Sequence, residues 1–83
     1  MPDDPWKRPE TITDPRIVEH AATLYRFYID AGDESDSALR KSAQIAIRKL
    51  FRNSAMNMEH PRTAERFGGD YVKLQALILE SVR

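Results

Sequence analysis

The chain has 83 residues, 41% of them hydrophobic, with 13 Lys plus Arg against 13 Asp plus Glu and no cysteine. That excludes disulfides and thiolate metal sites, and a zero formal charge removes the broad pull of a strongly basic nucleic-acid binder while leaving room for a local patch. No apolar run approaches the roughly 18 residues of a membrane span, and Met1-Pro2-Asp3-Asp4 lacks the basic-then-apolar order of a secretory signal, so the expectation is one small cytoplasmic domain with no membrane partner.

Pro2, Pro5 and Pro9 fall within residues 1–13. Each fixes φ and removes an amide donor, which predicts an extended proline-rich arm ahead of a single helical domain over 14–83. Trp6, between Pro5 and Lys7, is the arm's aromatic anchor, either folded back or docked on another molecule.

Asp14-Pro15 reads as a helix start, an Asp cap followed by a proline at the first helical position. The helix is predicted over about 15–30, with Ile17, Val18, Ala21, Ala22, Leu24, Tyr25, Tyr28 and Ile29 within an arc of about 160°. Ala31-Gly32 ends it, because glycine takes a left-handed cap without steric penalty. The acidic, hydroxyl-rich run Asp33 to Ser37 supplies caps for a second helix, predicted over about 37–59. No Gly or Pro interrupts residues 38–59 before His60-Pro61. A turn of helix over 62–67, a hinge at Gly68-Gly69 and a last helix over about 70–82 complete an all-α reading, a small three-helix bundle. Its core is expected from Ile17, Leu24, Tyr28, Leu39, Ala43, Ala46, Leu50, Leu74, Ile78 and Val82. The last helix is apolar over a wide arc that includes Val72 and requires more than one neighbour.

The second helix carries Arg40, Lys41, Arg48, Lys49 and Arg52, and no acidic residue lies between Ser37 and Met58. On a helical wheel Lys41, Arg48 and Arg52, with Lys49 at the edge of the group, share an outward face with Ile45 and Met56. Long cationic stems around apolar groups suit a protein partner with an acidic surface. The predicted partner-binding set is therefore Ile45, Arg48, Lys49, Arg52 and Met56, with Trp6. Phe27, Ile45, Met56 and Leu77 project away from the main stripes of their helices. Leaving such groups in water forgoes about 1.5 to 3 kcal/mol each. Phe27 and Leu77 are the predicted self-association residues, and a homodimer the expected state.

Nucleic acid is the competing partner for the same basic face, since its cations could neutralise phosphates. Against it stand the zero net charge and the lack of helix-turn-helix spacing. The acidic run does not make a calcium loop: counted from Asp30, the sixth position is Ser35 and the twelfth Lys41. His20 and His60 lie in different segments and predict no metal site. The serines carry no nucleophile motif, and Gly68-Gly69 lacks the Lys and hydroxyl of a phosphate loop. A small enzyme assembled across a dimer from Arg26, Arg48, Arg52 and Glu19 is the weakest alternative. The reading is a helical protein–protein interaction module, adaptor or inhibitor in type, without cofactor or catalysis.

Overall fold

The computed structural model describes residues 9–83, so Trp6 and most of the proline-rich arm lie outside the described residues. Three helices follow in order: α1 (Pro15–Asp30), α2 (Ser35–Phe51) and α3 (Pro61–Ser81), with no strand among the described residues. The all-α three-helix architecture is as the sequence predicts, and the bounds of α2 and α3 differ from those predicted.

α1 starts where its signals place it. The Asp14 carboxylate accepts the Arg16 N–H at 2.8 Å, satisfying an orphan amide, and Pro15 follows the cap. Burial raises the Asp14 pKa, but hydrogen bonds from the Arg16 side chain and backbone, with its positive charge, outweigh this and hold the carboxyl below its ordinary value. At the other end Gly32 has φ 97°, its N–H donates to the Ile29 carbonyl, and the Asp33 N–H donates to that of Tyr28, both at 3.0 Å. This is a Schellman closure with glycine in the left-handed position.

The helix predicted over 37–59 is shorter and begins earlier. α2 starts at Ser35 and stops at Phe51, where Arg52 turns left-handed at φ 54°, ψ 39°. The Asn53 N–H then donates to the Arg48 carbonyl at 3.0 Å and the Arg52 N–H to that of Lys49 at 3.3 Å, the same closure built on an arginine. Left-handed backbone costs a non-glycine residue on the order of 1 to 2 kcal/mol, and side-chain hydrogen bonds in the following connection offset it. Asn53 Oδ1 accepts the Ala55 N–H at 3.1 Å, and Asn57 Oδ1 accepts the Glu59 N–H at 3.0 Å. Such Asx turns compete with the helical ladder.

α3 is longer than predicted. His60-Pro61 launches a helix, with His60 Nδ1 accepting the Arg62 N–H at 3.3 Å, and that helix runs through Gly68-Gly69 to Ser81 without a hinge. Phe67, Tyr71, Leu74 and Ile78 form one stripe against the core, so the packed face crosses the glycine pair and outweighs about 1 kcal/mol of propensity lost at each.

α1 and α2 form an antiparallel hairpin with the most extensive helix contact, and α3 meets α1 more than α2. The hairpin seam is built of small residues: Ala21, Ala43 and Ala46 are fully buried beside Ile17, Leu39 and Ile47. Leu24, Tyr28, Leu50 and Val82, expected in the core, are half-buried. Ile29 and Val72, also expected on core arcs, are exposed, Val72 by 67%. The core takes two residues from outside the helices, Ile12 ahead of α1 and Met58 in the connection before α3. Ser42, the one buried polar residue among those described, donates to the Leu39 carbonyl at 3.0 Å. No helix among the described residues is long and apolar enough to cross a membrane.

Neither Gly68 nor Gly69 has positive φ, and a Cβ added to either meets nothing within 4 Å. Gly68→Ala and Gly69→Ala should each raise stability by about 0.4 to 1 kcal/mol in urea titrations. A loss of stability in either would show that the pair must bend.

Candidate functional site

The exposed side of α2 presents Lys41, Ile45, Arg48, Lys49 and Arg52 at spacings that place them on one helical face. Four of the predicted partner-binding residues come together there. Ile45, 36% exposed, lies in an open groove of about 400 Å³ with Arg48, Lys49, Arg52, Asn53 and Ser54. Three cations and no carboxylate line it.

Met56 is placed differently from the expectation. Because α2 ends at Phe51, Met56 lies in the 52–60 connection, half-buried against the core. It lines a neighbouring hollow of about 430 Å³ with Phe51, Phe67, Arg62 and Arg66, and Asn53 borders both hollows. The Arg66 guanidinium stacks 4.9 Å from the Phe67 ring centre. These additional cations and aromatics were missed in the sequence because 62–67 reads there as an isolated turn.

Arg48 does more than line the groove. Its Nε donates to the Met56 carbonyl at 2.6 Å. Gln44 Nε2 donates to the same carbonyl at 2.7 Å, while Gln44 Oε1 accepts the Met58 N–H at 2.7 Å. Two α2 side chains thus hold the connection by three hydrogen bonds. Arg48 is a positioning residue for the surface as well as part of it.

On its other side Arg48 borders a polar hollow of about 480 Å³ with Arg40, Lys41 and Tyr71 among its lining residues. Arg40 faces Glu59 at 3.8 Å, an exposed pair of little energetic weight. Burial, partly offset by a hydrogen bond with Gln75, raises the Tyr71 hydroxyl pKa.

Lys41 Nζ sits 3.0 Å from Asp33 and 5.3 Å from the centre of the Tyr28 ring, tying the face to α1. Toward the opposite end, His20 of α1 is held below its ordinary pKa by burial and by the charge of Lys49. The charged groups are therefore sorted by position. Asp30, Asp33, Glu34 and Asp36 surround the α1–α2 turn, and Arg48, Lys49 and Arg52 sit at the far end of α2.

The two predicted self-association residues lie on different helices. Phe27 of α1 is 66% exposed, its ring edge-on to Tyr28 at 5.7 Å. Leu77 of α3 is half-buried, less available than its wheel position suggested. Among the described residues no three His, Asp or Glu side chains converge in a metal-binding arrangement.

Gln44→Met keeps the side-chain volume but removes both ends of its bridge. Leaving the Met58 N–H unpaired should lower stability by about 1 to 3 kcal/mol in urea titrations, with helix content retained. An unchanged midpoint would show that the connection holds without Gln44. In a separate test, Lys49→Gln should raise the His20 pKa part of the way to its ordinary value, because the burial remains when the charge is gone. An NMR titration of the imidazole reads this, and an unmoved value would remove Lys49 from its surroundings.

No protein-family model, curated protein or solved structure matches this chain.

Proposed function

We propose that the protein is a small helical interaction module, adaptor or inhibitor in type, that binds an acidic protein surface through the basic and apolar face of α2. The observation that carries this reading is the groove around Ile45, an apolar floor among Arg48, Lys49 and Arg52 with no carboxylate in its lining. An apolar anchor displaces water on docking, and the cations select a partner of opposite charge and raise the encounter rate. No chemistry is required of the face. Self-association belongs to the same reading, with the exposed ring of Phe27 as its other apolar group and Leu77 as a half-buried contributor.

The variant that tests the reading must leave the fold intact. Reversal of Arg48 would also break its bond to the Met56 carbonyl, so Ile45→Ser with Lys49→Glu is the cleaner choice. Tagged wild type and this double variant are incubated with native lysate, half of it nuclease-treated. A protein retained by the wild type should bind the double variant about tenfold or more weakly, with the circular dichroism spectrum and melting temperature unchanged. Equal retention by both proteins overturns the reading. Retention that vanishes with nuclease and falls steeply with salt assigns the face to nucleic acid instead.

A further inference from the structure

We propose that the polar hollow between α2, the 52–60 connection and Tyr71 of α3 binds a small phosphate-bearing anion. The site goes beyond the docking reading and does not depend on it, because Arg48 is the only residue that lines both this hollow and the groove around Ile45.

One wall of the hollow is a stripe of α2. Ser37, Lys41, Gln44 and Arg48 follow one another at helical spacing, with Arg40 alongside. The facing wall is the connection, through Asn57 and Glu59, and Tyr71 closes the hollow from α3. Three cations thus face a single carboxylate. Asp33, outside the lining, meets Lys41 at 3.0 Å, and with that charge counted as well a positive excess remains. The volume of about 480 Å³ lies in the range of small-molecule sites.

The donors around it are not spent on one another. Arg48 donates to the Met56 carbonyl through Nε, which leaves the two terminal nitrogens of its fork for a ligand. Lys41 gives Asp33 one of its three N–H groups. Arg40 and Glu59 stand 3.8 Å apart, both exposed and beyond hydrogen-bonding distance, so little is lost when an anion takes the place of the carboxylate. Asn57 Oδ1 accepts the Glu59 N–H at 3.0 Å, which leaves the amide nitrogen as its donor. Burial, partly offset by the Gln75 hydrogen bond, holds the Tyr71 hydroxyl above its ordinary pKa, so its proton is in place at neutral pH.

A phosphoryl group matches this set. It carries a charge of about −1.5 to −2 at neutral pH and three strong acceptor oxygens. Arginine forks take such oxygens two at a time, and a lysine adds a point charge. A single carboxylate offers fewer acceptors than the hollow has donors, and an apolar ligand would find little surface in so polar a lining. Gln44 and Arg48 already hold the connection by three hydrogen bonds, so Asn57 and Glu59 are placed before a ligand arrives and less ordering entropy is lost. Glu59 is the one opposing charge in the lining, and it gives the test its sign.

Inorganic pyrophosphate is the probe, titrated into the full chain at an ionic strength held constant with sodium chloride and followed by calorimetry and two-dimensional NMR. One-to-one saturation is expected, with the largest shifts at Arg40, Arg48, Asn57 and Tyr71. Arg40→Gln should weaken binding about tenfold or more, and Tyr71→Phe several-fold. Glu59→Gln removes the repelling carboxylate and should tighten binding several-fold, a gain that misfolding does not produce. Lys73→Gln, exposed on α3 outside the hollow, should leave affinity unchanged, with circular dichroism verifying the fold of each variant. Shifts that sodium chloride alone reproduces, saturation that Arg40→Gln and Glu59→Gln leave unaltered, or citrate bound as tightly as pyrophosphate would overturn the site. The Ile45→Ser, Lys49→Glu variant keeps the whole lining and should bind pyrophosphate as the wild type does. A wild type that fails to bind pyrophosphate while a lysate protein still distinguishes it from that variant strikes the anion site and leaves the docking reading standing.

Discussion

The surface of this molecule depends on how α2 holds the chain that leaves it. Gln44 grips the 52–60 connection at both a carbonyl and an amide, and Arg48 adds a second donor to the Met56 carbonyl. These bonds turn a segment without regular structure into a fixed one. They bring Met58 into the core, direct the chain into His60-Pro61, and separate the groove around Ile45 from the hollow around Met56. A hydrogen bond contributes only about 0.5 to 1.5 kcal/mol net, but an unpaired buried group costs about 1 to 3. The clamp therefore acts less by adding stability than by penalising other paths for the connection.

The constraint matters because the domain is small. At this size only roughly 60% of the unfolded surface is buried, and without disulfides the core must be used fully. The alanine seam of Ala21, Ala43 and Ala46 removes bulk between α1 and α2, letting the helices approach closely. Ile12 and Met58 then supply volume from the chain on either side of the helical segments. The core is thus closed by residues that belong to no helix, and the segment ahead of α1 is part of the folded unit from at least Ile12 onward.

Much of the architecture is legible in the sequence wherever a local signal and the packing stripe agree. Asp14-Pro15 and Ala31-Gly32 delimit α1 because cap chemistry and apolar periodicity change at the same residues. The end of α2 was hidden because its left-handed position is filled by Arg52 instead of glycine, and the sequence between it and Pro61 contains neither Gly nor Pro. Asn53 and Asn57 carry the only local signal there, and it takes its meaning from their side-chain bonds to Ala55 and Glu59. The opposite error occurs at Gly68-Gly69, where the local signal says stop but the stripe Phe67, Tyr71, Leu74 and Ile78 continues. Burial along a continuous face wins over propensity because each large apolar side chain is worth about 1.5 to 3 kcal/mol, against about 1 for each glycine. The basic groove follows the same rule: Ile45, Arg48, Lys49 and Arg52 were legible from helical spacing alone. Met56 was misplaced because its position depends on a connection that no periodicity describes.

Arg48 shows why the surface and the fold cannot be assigned residue by residue. Its guanidinium lines the groove and also fixes the connection that forms the groove's edge. Removing it would subtract a positive charge and leave the Met56 carbonyl to Gln44 alone in one step, so a loss of binding there would not measure a contact. Lys49 is different: it is exposed, shares the groove, and its charge acts on His20 without a bond to the connection. Ile45 is partly packed but contributes no polar atom to any network. The balance between structure and recognition on this helix therefore shifts within a single turn, with Gln44 and Arg48 turned toward the connection and Ile45 and Lys49 turned outward. A helix that clamps its own connection with one edge presents the neighbouring edge at a fixed height and angle. That rigidity lets a few cations around one isoleucine act as a defined surface, because their positions are set before any partner arrives and less ordering entropy is lost on contact.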